Sequence, residues 1–260
     1  MAMADPRFIF LHTVHNLRDY GGYAAGGDTV RRGMLWRSGH HADASDGDLE
    51  VVAELDLATV IDLRGKGERD RHSCRRDPAF DGEVLAYDGE TAGLAPHLEA
   101  AEGDIDAQGA RAAMITLYGA LPDREGLNTM LRRYFAALAE GKGASLVHCA
   151  AGKDRTGIAV DLLHHALGVH PDDAMADYLL TNEAPRNEQR IADGMALLGK
   201  KYGAKDEETA RVLMGVEPAF LQAARDAVTQ RFGSADAYLA RQLGVDATMR
   251  EALRLHLVEG

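Results

Sequence analysis

The chain has 260 residues, 46% hydrophobic and 27% charged with seven prolines, a composition that excludes a disordered or fibrous protein and suits one α/β domain over 1–260. A formal charge of -12 repels nucleic acid and anionic membranes, so no nucleic-acid partner is expected and an anionic substrate needs a local positive site. The two cysteines, Cys74 and Cys149, lack zinc-ribbon or disulfide-scaffold spacing, and neither a leader nor an apolar run of about 18 to 20 residues is present, so a cytoplasmic protein without integral membrane association is expected, non-classical export being left open.

Along the chain, Met34-Leu35-Trp36 and Thr59-Val60-Ile61-Asp62-Leu63 read as strands, with Val84-Leu85-Ala86-Tyr87 a weaker third and a helix over Asp46 to Leu57. Thr91 to Gly109 is rich in Ala, Gly and acidic residues, which predicts a lid or flexible insertion somewhere in 91–125. Leu127, Met130, Leu131, Tyr134, Phe135 and Leu138 recur at helical spacing, and Gly141 supplies a stop. Ala144 to Val147 is then a strand leading into His148-Cys149, and Thr156 to Leu167 is a helix apolar on nearly every side, ended by Gly168. Helices over Pro171–Glu183, Asn187–Tyr202, Pro218–Phe232, Ala235–Leu243 and Ala247–Val258 make 171–260 a helical region. The expected class is α/β, a sheet from the first half carrying a helix-rich C-terminal half.

The stretch His148-Cys149-Ala150-Ala151-Gly152-Lys153-Asp154-Arg155-Thr156-Gly157 joins a strand to a helix. Backbone N–H groups and the helix dipole there favour an anion and should draw a thiol from about 8.5 into roughly the 3.5 to 7.5 range, making Cys149 a nucleophile. The amides of Ala150, Ala151, Gly152, Lys153, Asp154 and Arg155 can curl into a nest around a phosphoryl group. Arg155 can bind two phosphoryl oxygens at once, and Thr156 can donate to the cysteine sulfur when it leaves as thiolate.

Cys-x5-Arg followed by Thr resembles the signature of the protein tyrosine phosphatase superfamily. The HCAAGKDRTG form is similar to a bacterial branch with dual-specificity and phosphoinositide-active members. The resemblance extends to Asn16-Leu17-Arg18-Asp19-Tyr20-Gly21-Gly22-Tyr23, Trp36-Arg37-Ser38-Gly39, Val60-Ile61-Asp62-Leu63-Arg64, Asp177-Tyr178-Leu179, Val216 to Leu221 and Phe232-Gly233-Ser234. It implies a central mixed sheet flanked by helices, a phosphocysteine intermediate, no cofactor or metal, and a phosphorylated protein or phosphoinositide as substrate. No Trp-Pro-Asp loop is found, so Asp154 is the candidate general acid, with Asp62 and Asp88 as alternatives, and Lys153 is expected to add a phosphate or inositol contact. A dianionic substrate would keep the Asp154 carboxyl protonated.

Arg64, at a strand end within a stretch of mixed charge, is expected either on a solvated face or in the site mouth as a phosphate attractor. Arg18 and Asp19 are expected to form a structural ion pair. His40-His41 and His164-His165 read as core or surface histidines rather than metal ligands. An accessible, reactive Cys149 should be peroxide-sensitive, with Cys74 as a candidate resolving partner. Two other readings remain open at this point: a sulfurtransferase or arsenate reductase, and a pseudophosphatase that binds phosphate without turnover.

Overall fold

A computed structural model describes residues 5–91, 106–202 and 206–260. Its β-strands are β1 (Arg18–Asp19), β2 (Ala24–Ala25), β3 (Asp28–Val30), β4 (Leu35–Ser38), β5 (Leu57–Asp62), β6 (Glu83–Leu85), β7 (Ala144–His148) and β8 (Val258–Glu259). The main sheet has the order β1-β4-β7-β5-β6. Its last four strands are parallel and β1 is antiparallel to β4, the mixed sheet expected. Every residue of the central β7 is buried, as a parallel strand covered on both faces should be.

Register fixes where the chemistry sits. Ser38 and Asp62 both pair with His148, so β4, β5 and β7 finish level. The loops that leave them, at Gly39, Leu63 and Cys149, therefore meet at one edge, the carboxyl ends of parallel strands where such sheets bind ligands.

The helices are α1 (Asp46–Ala53), α2 (Lys66–Arg71), α3 (Ala107–Ala120), α4 (Glu125–Glu140), α5 (Asp154–Leu167), α6 (Pro171–Leu179), α7 (Asn187–Tyr202), α8 (Glu207–Met214), α9 (Pro218–Phe232), α10 (Ala235–Gln242) and α11 (Ala247–Leu257). Twelve of the fourteen residues of α5 are buried, which explains its lack of a polar face. Gly141 and Gly168 end α4 and α5 at φ 65° and 88°, left-handed values that glycine adopts without a Cβ penalty. Among the described residues no helix is long and apolar enough to cross a membrane.

Several elements differ from expectation. Within 91–125, residues 92–105 lie outside the described residues, while Ala107–Ala120 is a helix capped by Asp106 and buries Ala110, Met114, Leu117 and Tyr118. Of the alanines in the expected loop Ala107 opens this helix, and alanine is the best helix former. The end of the expected Ala247–Val258 helix leaves the helical path, because Val258 and Glu259 pair with Val30 and Thr29 in a second sheet, β2-β3-β8.

Candidate active site

The loop from Cys149 to Lys153 turns at Gly152, whose φ is 67°. A Cβ at that position would lie 2.4 Å from the carbonyl of Ser38, so β4 and the loop approach too closely for any side chain. The loop's carbonyls are drawn outward. Gly152 O accepts from Asn16 Nδ2 at 2.9 Å and Arg37 Nη2 at 3.0 Å, and Ala150 O accepts from the amide of His40 at 3.1 Å. Because a trans peptide opposes its C=O and N–H, the amides of Ala151 and Lys153 face the other way, toward the concave side.

A buried ionic array behind the loop fixes Arg37. Asp177, on α6, accepts from Arg37 Nη1 at 2.7 Å and from Arg18 Nε at 3.4 Å, and its backbone carbonyl accepts from Arg18 Nη2 at 2.7 Å. Arg18 also donates to Asn16 Oδ1. Burial alone would raise the Asp177 carboxyl, but the two guanidiniums hold it far below the usual carboxylate range. The expected Arg18–Asp19 pair is replaced by this arrangement. Neighbours on a strand point to opposite faces, and Asp19 instead accepts from the amides of Gly21 and Gly33 at 2.7 and 2.9 Å.

Cys149 is 1% exposed at the head of α5. The guanidinium of Arg155 is held end-on by Glu68 of α2, with Nη1 and Nη2 donating at 2.5 and 2.8 Å. Nη1 also donates to Thr91 Oγ1 at 3.1 Å. Burial tends to raise the Glu68 carboxyl, and Arg155 pulls it below its ordinary value. Arg155 Nε is buried with no hydrogen-bond partner among the described residues, as is Thr156 Oγ1. A guanidinium has five N–H groups, so the Nε edge, the side-on fork, is the one left to a ligand.

Asp154 is 1% exposed and accepts from Tyr118 Oη at 2.8 Å, and Tyr178 Oη donates in turn to Tyr118 Oη at 2.8 Å. Lys153, expected on the phosphate, has its ammonium 3.6 Å from Asp154 Oδ1 and donating to the carbonyls of Leu213 and Gly215 at 2.6 and 3.0 Å. The C-terminal carbonyls of α8 attract this cation, and burial lowers it to about 8.

The remaining expected residues sit at the periphery. Arg64 lines the cavity in front of the loop, but Asp62 holds its guanidinium at 2.9 and 2.7 Å, and it also donates to His72 O at 2.8 Å and Cys74 Sγ at 3.0 Å. Burial would raise Asp62, yet His148 and Arg64 bring it down to about 2, so it carries no proton to give at neutral pH. Asp88 is 96% exposed and 3.4 Å from Arg69, outside the buried site. His148 lies between Asp62 and Cys74 with ligand atoms mutually within 4.8 Å, and Arg64 already supplies a cation to two of the three. His41 bonds Ser38 Oγ, His164 meets Tyr20 O and His165 pairs with Asp236.

The cavity in front of the loop has a volume of about 560 Å³ and is lined by Ala150 and Ala151, with Glu68, His15 and Arg190 on its walls. Sequence reasoning missed Glu68 and Arg190. Glu68 had one signal, its place three residues after Gly65, whose amide it caps at 3.1 Å. Arg190, on the long α7, had none.

A family model described as the tyrosine phosphatase family matches residues 9–259. A protein of Cupriavidus necator that carries a tyrosine-protein phosphatase name is 37% identical over 256 residues, covering 95% of this chain and 87% of that protein. The triple specificity protein phosphatase PtpB of Mycobacterium tuberculosis is 29% identical over 266 residues, covering 92% of this chain and 95% of PtpB. With a strand-loop-helix that presents Cys149 and Arg155 at the carboxyl edge of the sheet, the chain belongs to the tyrosine phosphatase family and is a cysteine-dependent phosphoric monoester hydrolase.

Proposed function

We propose that Cys149 attacks the phosphorus of a phosphate monoester as the thiolate, forming an S–P bond as the P–O bond to the leaving group breaks. The amides of Ala150 to Arg155 and the Nε edge of Arg155 hold the three equatorial oxygens, where charge is stabilised in the transition state. Asp154 gives the departing oxygen its proton, then takes one from the water that cleaves the phosphocysteine. Thr156 donates to the sulfur as it is expelled. The observation that carries this reading is the Arg155–Glu68 clamp, which commits one edge of the guanidinium and leaves the other turned to the ligand.

The proposed substrates are phosphotyrosine, with phosphoserine, phosphothreonine or phosphoinositides accepted by the same loop, and the proposed compartment is the reducing cytoplasm. Hydrolysis of an aryl phosphate insensitive to chelator and inhibited by vanadate tests the chemistry, and a panel of phosphopeptides and phosphoinositides tests the range. Asp154→Asn should lower turnover about 10² to 10⁴-fold and flatten the limb of the pH–rate profile that reports the acid. A wild-type profile in Asp154→Asn, with loss in Asp62→Asn or Asp88→Asn, would move the acid role. Retained phosphate binding with no turnover by the wild type would favour the pseudophosphatase reading.

A further inference from the structure

Asp154 is the first residue of α5, where the amides of the opening turn lack helical partners and attract a carboxylate. An acid that must deliver a proton outward therefore needs a group that fixes its direction. Two donors meet on one of its oxygens. Tyr118 Oη, from α3, donates to Oδ1 at 2.8 Å, and the Lys153 ammonium stands 3.6 Å from the same atom. A phenol has one hydrogen. With that hydrogen spent on Asp154, Tyr118 can only accept from Tyr178 Oη, 2.8 Å away on α6. The donor chain thus runs one way, from Tyr178 through Tyr118 to Asp154.

Packing holds this chain in place. Tyr118, Tyr178 and Asp154 are all buried. A Cβ on Gly157 would lie 2.9 Å from the Tyr178 ring, so the glycine is what admits that ring against α5. Phe220 of α9 lies against Tyr118, with ring centroids 5.8 Å apart. Burial, together with the charge of Asp154, keeps both phenols well above their ordinary range, so Tyr118 remains a donor at neutral pH.

The other charges near Asp154 are Cys149 in the loop, Arg155 on α5 and Arg190 on α7. They act on the carboxyl as a whole, whereas Tyr118 and Lys153 distinguish its two oxygens. In the neutral acid Oδ1 is then the carbonyl oxygen and the proton belongs on Oδ2. We propose that Tyr118, set by Tyr178, is the positioning residue of the general acid, holding Oδ1 so that Oδ2 carries the proton to the leaving group. This rests on Asp154 as the acid in the reading above, and deepens it. As the P–O bond breaks, the departing oxygen takes the proton and the O–H electron pair stays on Asp154. The Tyr118 hydrogen bond becomes charge-assisted at that moment, which favours the transition state over the ground state.

The test compares pH profiles of kcat/KM on nitrophenyl phosphate, a good leaving group, and phenyl phosphate, a poorer one. The full-length wild type is set beside Tyr118→Phe, Tyr178→Phe, Asp154→Asn and Tyr134→Phe. Tyr134, whose hydroxyl pairs with that of Tyr20 at 2.9 Å, controls for loss of a buried hydroxyl elsewhere. Tyr118→Phe should lower kcat/KM on phenyl phosphate about 10- to 100-fold, and less on the nitrophenyl ester. A hydrogen bond to a carboxylate favours its ionised form. Its removal should therefore move the limb that Asp154→Asn flattens upward, by about one pH unit. Tyr178→Phe should act in the same direction by less, and Tyr134→Phe should leave the limb in place. A folded Tyr118→Phe with an unmoved limb, or with equal losses on both esters, overturns the proposal, as does the same shift in Tyr134→Phe. Should Tyr118→Phe not fold, Tyr178→Phe, which keeps its ring on Gly157, decides by the same criteria. A wild-type profile in Asp154→Asn ends the acid reading and this inference with it. A flattened profile there beside an unmoved limb in Tyr118→Phe ends the inference alone.

Discussion

Replacing Glu68 with glutamine tests whether the Arg155 fork is aimed by its partner rather than by the helix that bears it. Glu68 gives Arg155 two acceptor oxygens, at 2.5 and 2.8 Å, and both side chains are almost wholly buried, at 8% and 0% exposed. The glutamine keeps one acceptor and turns an amide N–H against a guanidinium N–H. At least one charge-assisted hydrogen bond is lost, about 1.5 to 3 kcal/mol. If that energy serves to align Arg155 in the transition state, kcat/KM falls about 10- to 150-fold, mainly in kcat, because the fork grips the trigonal phosphoryl group better than the ground state. Because Arg155 holds the Glu68 carboxyl below its ordinary value, the loss should persist across the neutral pH range. Steady-state kinetics on an aryl phosphate, with circular dichroism to verify folding, measures it, and Glu68→Asp should recover part of the loss. A folded Glu68→Gln enzyme within twofold of wild type in kcat/KM would refute the reasoning.

Three further outcomes follow from the same geometry. Gly152→Ala places a Cβ 2.4 Å from the Ser38 carbonyl at φ 67°, so the loop must shift, and kcat on an aryl phosphate should fall about 10²-fold; near-wild-type kcat would show that the loop tolerates the contact. Asp177→Asn leaves two buried guanidiniums short of their counter-ion and should cost about 3 to 5 kcal/mol in urea unfolding, whereas a loss below about 1 kcal/mol would mean the array contributes little. The Asp62 carboxyl, lowered to about 2 in the fold, stabilises the protein above its unfolded value of about 3.9 and loses that contribution, about 2.6 kcal/mol, as pH falls from about 4 toward 2. The stability difference between wild type and Asp62→Asn should therefore shrink over that interval, and a constant difference would contradict the assignment.

The sheet and its active edge were legible because they depend on local pattern. Thr59 to Leu63 and Ala144 to Val147 are apolar runs, Gly141 and Gly168 mark helix ends, and Cys149 to Thr156 is a spacing with direct chemical meaning. Partnerships across long separations were not legible. Arg18 has Asp19 beside it in sequence but Asp177 beside it in space, 159 positions away, and nothing in either segment encodes that choice except the fold itself. Lys153 looked like a phosphate ligand because it sits in the loop, yet the carbonyls at the end of α8, a helix not foreseen, take its ammonium. Arg64 stood at the expected strand end, but the carboxylate two residues before it satisfies its fork. The loop supplied the chemistry in one dimension, whereas its supports, Glu68, Asp177, Asn16 and Tyr118, come from segments scattered over the chain.

The most direct test is to trap the intermediate. Wild-type protein mixed with an aryl phosphate, quenched in acid within one turnover and digested should yield phosphate on the peptide that holds Cys149, and Cys149→Ser should show neither steady turnover nor a competent intermediate. Phosphate found on another residue, or sustained turnover by Cys149→Ser, would contradict the account.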